Sequence, residues 1–365
     1  MSKIPTVWKL EDHTVAKHQI LEEYLKAWFP ILGSRFGRIV YIDGFAGPGT
    51  YVGGEDGSPV IAIRTASEHP LIRPTTEVRF LFIEKDDKRV EILNKVLTTN
   101  FPLLPSNIVY TIHRSEFVDS VKSILDWLEK QNAKLAPTFA FVDPFGYSDF
   151  PMNVISRLLS YERFELLITF MSGSVNRFLD PDHENAVDSL YGITEWREAK
   201  NEKDTDKRLK FLLTLYENQL KKAGASFVKT FQMIGRNNQV SYDLVFCTKH
   251  WKGLEVMKKA MLKVDSRGMY KFSDRLGLGQ TFFHDAHDGN NWIPEVAELV
   301  YQKFKGKIVS ENEVHKFVIT DTNHVYKKDI LKYLEKQNPA KILNVTNRKN
   351  NSLSYPDGCL IQFRD

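Results

Sequence analysis

Apolar positions along this chain change their period again and again. Val15, Ile20, Leu21, Tyr24, Leu25, Trp28 and Phe29 recur at helical spacing, which predicts an amphipathic helix over 14–30. A short apolar run follows, Arg38-Ile-Val-Tyr-Ile-Asp43, with the character of a strand buried on both faces. Residues 44–57 are rich in glycine, and Ser58-Pro59 then offers a helix start, with Ser as N-cap and Pro in the first turn. The succession repeats, with strands expected over 78–83, 108–112, 138–142 and 166–170 and helices over 85–99, 117–131 and 152–159. Strands alternating with helices predict an α/β fold, its sheet built by right-handed crossovers.

The pattern then changes. Residues 172–224 are mostly helical and charged, and read as an insertion after the fifth strand. Runs over 227–234 and 242–248 flank Gly235-Arg-Asn-Asn238, the signature of a hairpin, so the mostly parallel sheet gains an antiparallel strand. With a helix over 251–264, this predicts one α/β domain over 1–265. A linker rich in Gly and Asp is expected over 266–292. Helices over 293–304, 311–318 and 327–335, then strands over 342–345 and 360–363 around a polar, basic loop, describe a winged-helix-like domain over 293–365.

Composition narrows the class. The 365 residues are 42% hydrophobic and 26% charged, which excludes a disordered or collagenous chain. Two cysteines, Cys247 and Cys359, are too few for a structural zinc site or a disulfide framework. No apolar run approaches the roughly 20 residues that cross a bilayer, and MSKIPTVWKLEDH lacks the apolar core of a signal peptide. No membrane association and a reducing, cytoplasmic location are therefore expected. The net charge is only +4, but from Tyr301 onward twelve Lys and Arg face seven Asp and Glu. A basic tail suits a polyanion such as RNA or DNA, though solvated lysines on helix faces give the same count.

Four segments at strand ends carry candidate chemistry. Tyr41-Ile-Asp-Gly-Phe-Ala-Gly-Pro-Gly-Thr-Tyr51 follows the first strand. Glycines let the backbone turn sharply and approach a ligand, and a doubly wound sheet binds ligands beyond the carboxyl ends of its strands. The pattern is neither G-x-G-x-x-G nor a P-loop, and it lacks the Lys-Ser/Thr of a polyphosphate cradle. A nucleoside without polyphosphate is expected, held by Asp43, Gly44, Phe45, Ala46, Gly47 and Gly49; a plain glycine turn is the alternative. Glu84, with Lys85 beside it, ends the second strand in Phe82-Ile-Glu-Lys-Asp86, where a carboxylate can accept both ribose hydroxyls or simply favour a helix N-terminus. Ser115 and Glu116 end the third strand, placed to reach a base or an amine, or to cap a helix.

The fourth segment is Phe141-Val-Asp-Pro-Phe-Gly-Tyr147. Asp-Pro-aromatic after the fourth strand resembles the Asp-Pro-Pro-Tyr signature of amino-methyltransferases. An exocyclic base amine is a poor nucleophile, because its lone pair is delocalised into the ring. Catalysis then means holding it in line with a methyl donor while Asp143 and the Pro144 carbonyl accept its hydrogen bonds. Phe145 can stack on the base, which must leave any duplex to be reached, and Gly146 leaves room for it. A simple turn would also use Asp-Pro and Phe-Gly.

Taken in order, the four segments resemble a class I methyltransferase that uses S-adenosylmethionine. More narrowly, the chain resembles the three-Cys-motif partner proteins. The stretches that carry this are Lys17-His18 with Ile20-Leu21 and Tyr24-Leu25, the segment Tyr41 to Tyr51, Gly57-Ser-Pro59, Phe141 to Gly146, and Gly253 through Met261. Asp143-Pro-Phe-Gly146 also resembles, locally, the motif of tRNA guanine-N2 dimethyltransferases. The resemblance implies a Rossmann-like class I methyltransferase sheet, S-adenosylmethionine as cofactor and a neighbouring protein with three cysteines. Phe145 stands where the amino-methyltransferase signature has its second proline, and Gly146 where it has its aromatic residue.

The expected function is thus methyl transfer to nucleic acid at an exocyclic amine. The alternative is a non-catalytic scaffold or sensor that binds a three-cysteine partner or DNA. In the tail, Lys327, Lys328 and Lys332 lie on the last expected helix, and Arg348 and Lys349 lie in the wing, placed for phosphate contacts. A protein-docking winged helix would look the same. His284-Asp-Ala-His287 has a spacing seen in metal sites but lacks a third partner nearby, so no metal is expected.

Overall fold

The computed structural model describes residues 5–69, 72, 75–146, 150–275, 292–348 and 353–365. They form two compact units, one of residues 5–265 with 270–275, the other of 266–269 with 292–365. Lys349, His284 and His287 lie outside the described residues.

The first unit runs α1 (Asp12–Gly33), β1 (Arg38–Asp43), α2 (Ser58–Ser67), β2 (Glu77–Glu84), α3 (Asp87–Asn100), β3 (Ile108–Arg114), α4 (Phe117–Lys130), β4 (Thr138–Val142), α5 (Met152–Ser160) and β5 (Phe164–Phe170). It continues with α6 (Ser172–Arg177), α7 (Glu184–Tyr191), α8 (Thr205–Lys222), β6 (Phe227–Ile234), β7 (Val240–Thr248), α9 (Trp251–Val264) and β8 (Lys271–Ser273). One sheet joins the strands in the order β3-β2-β1-β4-β5-β7-β6-β8. The first five are parallel, and β7 runs antiparallel between β5 and β6. This is the mostly parallel sheet that the alternation predicts, with the antiparallel strand that the hairpin signature adds, and it fits the Rossmann-like sheet that the resemblance implies.

Why the chain folds this way is clear at particular places. β4 is buried along its whole length, as its run Thr-Phe-Ala-Phe-Val requires at the centre of a doubly covered sheet. On one face α1, α2 and α9 cover it, and Ile20, Leu21, Leu25 and Phe29 from α1 reach full burial. Truncating one of them to Ala would cost about 2–5 kcal/mol. On the other face lie α4, α5, α7 and α8. Asp86 caps α3 by accepting the Arg89 amide at 3.0 Å, and Pro59 opens α2 from its first turn.

The helices of 172–224 follow the fifth strand as expected and join the core: Leu212, Tyr216 and Leu220 are buried, and Tyr216 stacks on Phe170 of β5 at 4.2 Å between ring centres. Other details depart from the expectation. Gly57 rather than Ser58 stands at the N-cap of α2. Lys271–Ser273, expected as linker, pairs in parallel with β6 as the edge strand of the sheet. A run this short carries no readable period, and only its pairing reveals it.

The second unit contains α10 (Ile293–Phe304), β9 (Ile308–Ser310), α11 (Glu311–Asp321), α12 (Asp329–Glu335), β10 (Ile342–Val345) and β11 (Leu360–Phe363). The strands form a sheet in the order β10-β11-β9. Val296, Val300, Val314, Val318, Ile330, Leu334, Ile361 and Phe363 share its core. Ser310 and Glu313 complete a reciprocal capping box on α11.

Candidate active site

The strand order turns back between β1 and β4, and a cavity of about 260 Å³ opens there. In an open α/β sheet this switch point is where the chain segments leaving adjacent strands diverge and leave a crevice. The glycine loop after β1 forms one wall with Phe45, Ala46, Gly47 and Gly49, and the turn after β4 forms another with Asp143, Pro144 and Phe145. Helix α1 contributes Lys17 and His18, and β5 contributes Thr169.

The loop is tightly folded. Gly47 has φ +61°, a left-handed conformation that side chains disfavour. Gly57 donates its amide to the Gly49 carbonyl at 2.9 Å, and a Cβ on Gly57 would come within 2.8 Å of the Gly49 backbone. Sharp turning and close backbone approach are thus both present.

Asp143 is the central polar group of the cavity. Its side chain is 28% exposed, pairs with the Lys17 ammonium and accepts the Thr169 hydroxyl at 2.6 Å. Burial alone would raise its pKa, but Lys17, Thr169 and His18 together outweigh burial and hold the carboxyl below its usual value. His18 accepts or donates a 3.4 Å contact with the Tyr51 hydroxyl. Burial, with Lys17 adding to it, pushes His18 down to about 3, so the imidazole is neutral.

Asp43 and Glu84 lie behind the wall rather than in it. Asp43 is fully buried, and the Tyr41 hydroxyl and the Phe45 amide each approach it at 3.4 Å. Burial pushes its carboxyl up to about 7. Glu84 accepts the Gly47 amide at 3.0 Å and the Asp86 amide at 2.9 Å. Arg89 covers it, Nη1 lying 3.9 Å from Oε1. The Arg89 guanidinium sits 5.2 Å from the Trp8 ring centre and 5.1 Å from that of Phe145, and donates to the Pro5 carbonyl at 3.2 Å. Trp8 in turn rests on Gly47, and its carbonyl accepts the Val52 amide at 3.1 Å.

The remaining candidates sit elsewhere. Gly44 is packed against the Phe117 ring. Lys85 and Glu116 are exposed and form a 3.5 Å ion pair with each other. The Ser115 hydroxyl bonds Ser120 and the Glu116 carbonyl. None of these four lines the cavity. Gly146 has open space where a Cβ would stand. In the second unit, Arg348 does not project as a wing cation: it forms a two-pronged pair with Glu335, at 2.6 and 2.5 Å. Lys328 donates to the Tyr355 carbonyl at 2.7 Å, and Lys332 pairs with Asp329 at 3.1 Å. Lys327 Nζ lies 5.5 Å from the Trp292 ring centre. Three of the expected phosphate contacts are thus engaged within the unit, because nearby carboxylates and carbonyls satisfy them.

Sequence reasoning missed Lys17, Thr169, Tyr242, Trp8 and Arg89, of which only Thr169 comes from the carboxyl end of a parallel strand. Lys17 carried one readable signal, a cation among the apolar positions of an amphipathic helix.

No protein-family model matches the chain, and no curated protein matches it either. Solved structures do. A Legionella pneumophila protein, LPL1258, is 12% identical with TM-score 0.43, over 71% of this chain and 92% of that one. Trm1 from Pyrococcus horikoshii, solved with S-adenosyl-L-methionine, is 15% identical with TM-score 0.38, over 72% of this chain and 62% of its own. An O-methyltransferase from Bacillus cereus in complex with SAH is 15% identical with TM-score 0.34, over 63% and 80%.

The residues present fit a nucleoside sulfonium. The glycine loop admits close backbone approach, a carboxylate faces the cavity, and the volume lies near the roughly 300 Å³ lower bound of small-molecule pockets. Glu84, expected from sequence to meet the sugar, lies under Arg89, beside Trp8.

Proposed function

We propose that this chain is an S-adenosylmethionine-dependent methyltransferase acting on an exocyclic base amine of nucleic acid. One observation carries the proposal: the glycine loop after β1 and Asp143-Pro-Phe after β4 face one cavity at the switch point of the sheet. Bound there, S-adenosylmethionine would supply an electrophilic methyl group.

Gly47 and Gly49 would approach the nucleoside, and Glu84 would accept its ribose hydroxyls once Trp8 and Arg89 move aside. Asp143 and the Pro144 carbonyl would accept hydrogen bonds from the target amine, fixing its lone pair in line. Asp143 is held as a carboxylate, so it stabilises the charge that develops on nitrogen. The nitrogen would take the methyl group while the sulfonium sulfur keeps the pair of the broken S–CH3 bond as a neutral thioether, and the surplus proton on nitrogen would pass to water. Phe145, 46% exposed, would stack on the flipped base. The second unit, read as a winged helix, would bind the polyanion.

Calorimetric titration with S-adenosylmethionine tests the cofactor, and absence of heat with the wild type refutes it. For catalysis, Asp143→Ala should abolish transfer of a radiolabelled methyl group to RNA or DNA without loss of the fold.

A second reading has its own support, since Phe145, Lys328, Lys332 and Arg348 all have partners within their own unit. The chain would then be a scaffold for a three-cysteine protein. Cofactor binding without methylated product across RNA and DNA substrates would favour it.

A further inference from the structure

Lys17 joins Asp143 from a distant part of the chain, 126 residues away. Its side chain is 6% exposed. A lysine in this position loses hydration and rotamer freedom, and an apolar residue would pack α1 against the sheet at lower cost. Lys17 therefore answers a need at Asp143.

Resting on the methyltransferase reading, we infer that Lys17 is a positioning residue that reserves Asp143 as a fixed hydrogen-bond acceptor for the incoming amine. Three elements hold this carboxylate. Its own backbone comes from the end of β4, Lys17 on α1 takes Oδ2, and Thr169 on β5 takes Oδ1. Each carboxylate oxygen has two acceptor sites, so one on each oxygen stays available. With both oxygens anchored, the carboxylate cannot rotate away from the cavity.

The charges around Asp143 explain why a cation is required. His18 on α1 is neutral, since burial pushes it down to about 3. Asp43 at the end of β1 is itself pushed up to about 7 by burial and is protonated where Asp143 titrates, and Tyr51 and Tyr242, which also face Asp143, carry no positive charge. Lys17 supplies the balancing charge, with Nζ also lying 5.4 Å from the Tyr242 ring centre. Without it, burial would favour the protonated acid. One oxygen would become an O–H donor, the wrong partner for an amine N–H.

The test follows the Asp143 carboxyl directly, by ¹³C NMR of full-length protein carrying labelled aspartate, with Asp143→Asn to assign the signal. In Lys17→Met its titration should move up by about 1–3 pH units, the usual effect of losing an adjacent opposite charge. Lys17→Arg should restore it, because the charge remains. If Lys17→Met does not fold, Lys17→Gln keeps a donor without the charge and should show the same upward move. An unmoved Asp143 titration in a folded charge-free variant overturns the inference, as does failure of Arg to restore it. Calorimetry with S-adenosylmethionine on the same samples separates the two claims: no binding by the wild type sinks the methyltransferase reading, whereas the titration judges Lys17 alone.

Discussion

Glu84 at the end of β2 accepts the backbone amide of Gly47 at 3.0 Å, so one strand end holds the loop that leaves its neighbour. The carboxylate also takes the Asp86 amide at the start of α3. Glu84→Ala should leave the buried Gly47 amide unsatisfied and destabilise the protein by about 1–3 kcal/mol. Urea unfolding measures that loss. The same variant should bind S-adenosylmethionine at least about tenfold more weakly, the effect of losing roughly 1.4 kcal/mol of contact. Unchanged affinity would show that Glu84 only supports the loop.

Trp8 lies over Gly47 and beside Arg89, which covers Glu84. With the nucleoside bound at Glu84 as proposed, Trp8→Ala should open the way to it. The expected result is faster association with S-adenosylmethionine in stopped flow, together with faster amide exchange at Gly47 and Val52. An association rate equal to that of the wild type would mean that Trp8 is not in the way.

His18 makes stability depend on acidity. Its folded pKa is lowered to about 3 against an ordinary value of 6.5. The unfolded chain therefore takes up a proton first as pH falls, and this contribution to stability is present above pH 6.5 and lost on the way down to about 3. Its slope is at most about 1.4 kcal/mol per pH unit. His18→Gln should flatten that part of the profile, read as the difference in urea midpoints between pH 7.5 and pH 5.

Arg348 and Lys332 should behave differently although both were expected to meet phosphates. Arg348 and Glu335 are about four-fifths buried, and the Tyr355 hydroxyl also donates to Glu335 at 2.6 Å. Arg348→Met should therefore lower the melting temperature of the second unit clearly. Lys332→Ala, which breaks an exposed pair, should change stability by less than about 1 kcal/mol. If polyanion binding involves Lys332, its removal should reduce the salt dependence of binding by about one ion equivalent.

Much of the fold was legible in the residues. Residues 38–43, 138–142, 251–264, 293–304, 342–345 and 360–363 occupy the elements expected for them. The reason is local: periodicity and turn chemistry act over a few residues. Lys271–Ser273 and Ile308–Ser310 were not legible, because three residues define no period and their strand state depends on partners in β6 and β11.

The candidate site divides along the same line. Glycines at Gly47 and Gly49, and the turn Asp143-Pro144-Phe145, announce themselves in sequence, since sharp turns at strand ends need particular residue types nearby. Which side chain meets which was settled only by the tertiary structure. Packing α1 onto the sheet delivers Lys17 to Asp143, folding of the N-terminal segment brings Trp8 over Gly47, and burial directs Glu84 toward a backbone amide. Desolvation makes these choices. A charged group removed from water must find a partner wherever the chain brings one, and sequence separation places no limit on that search.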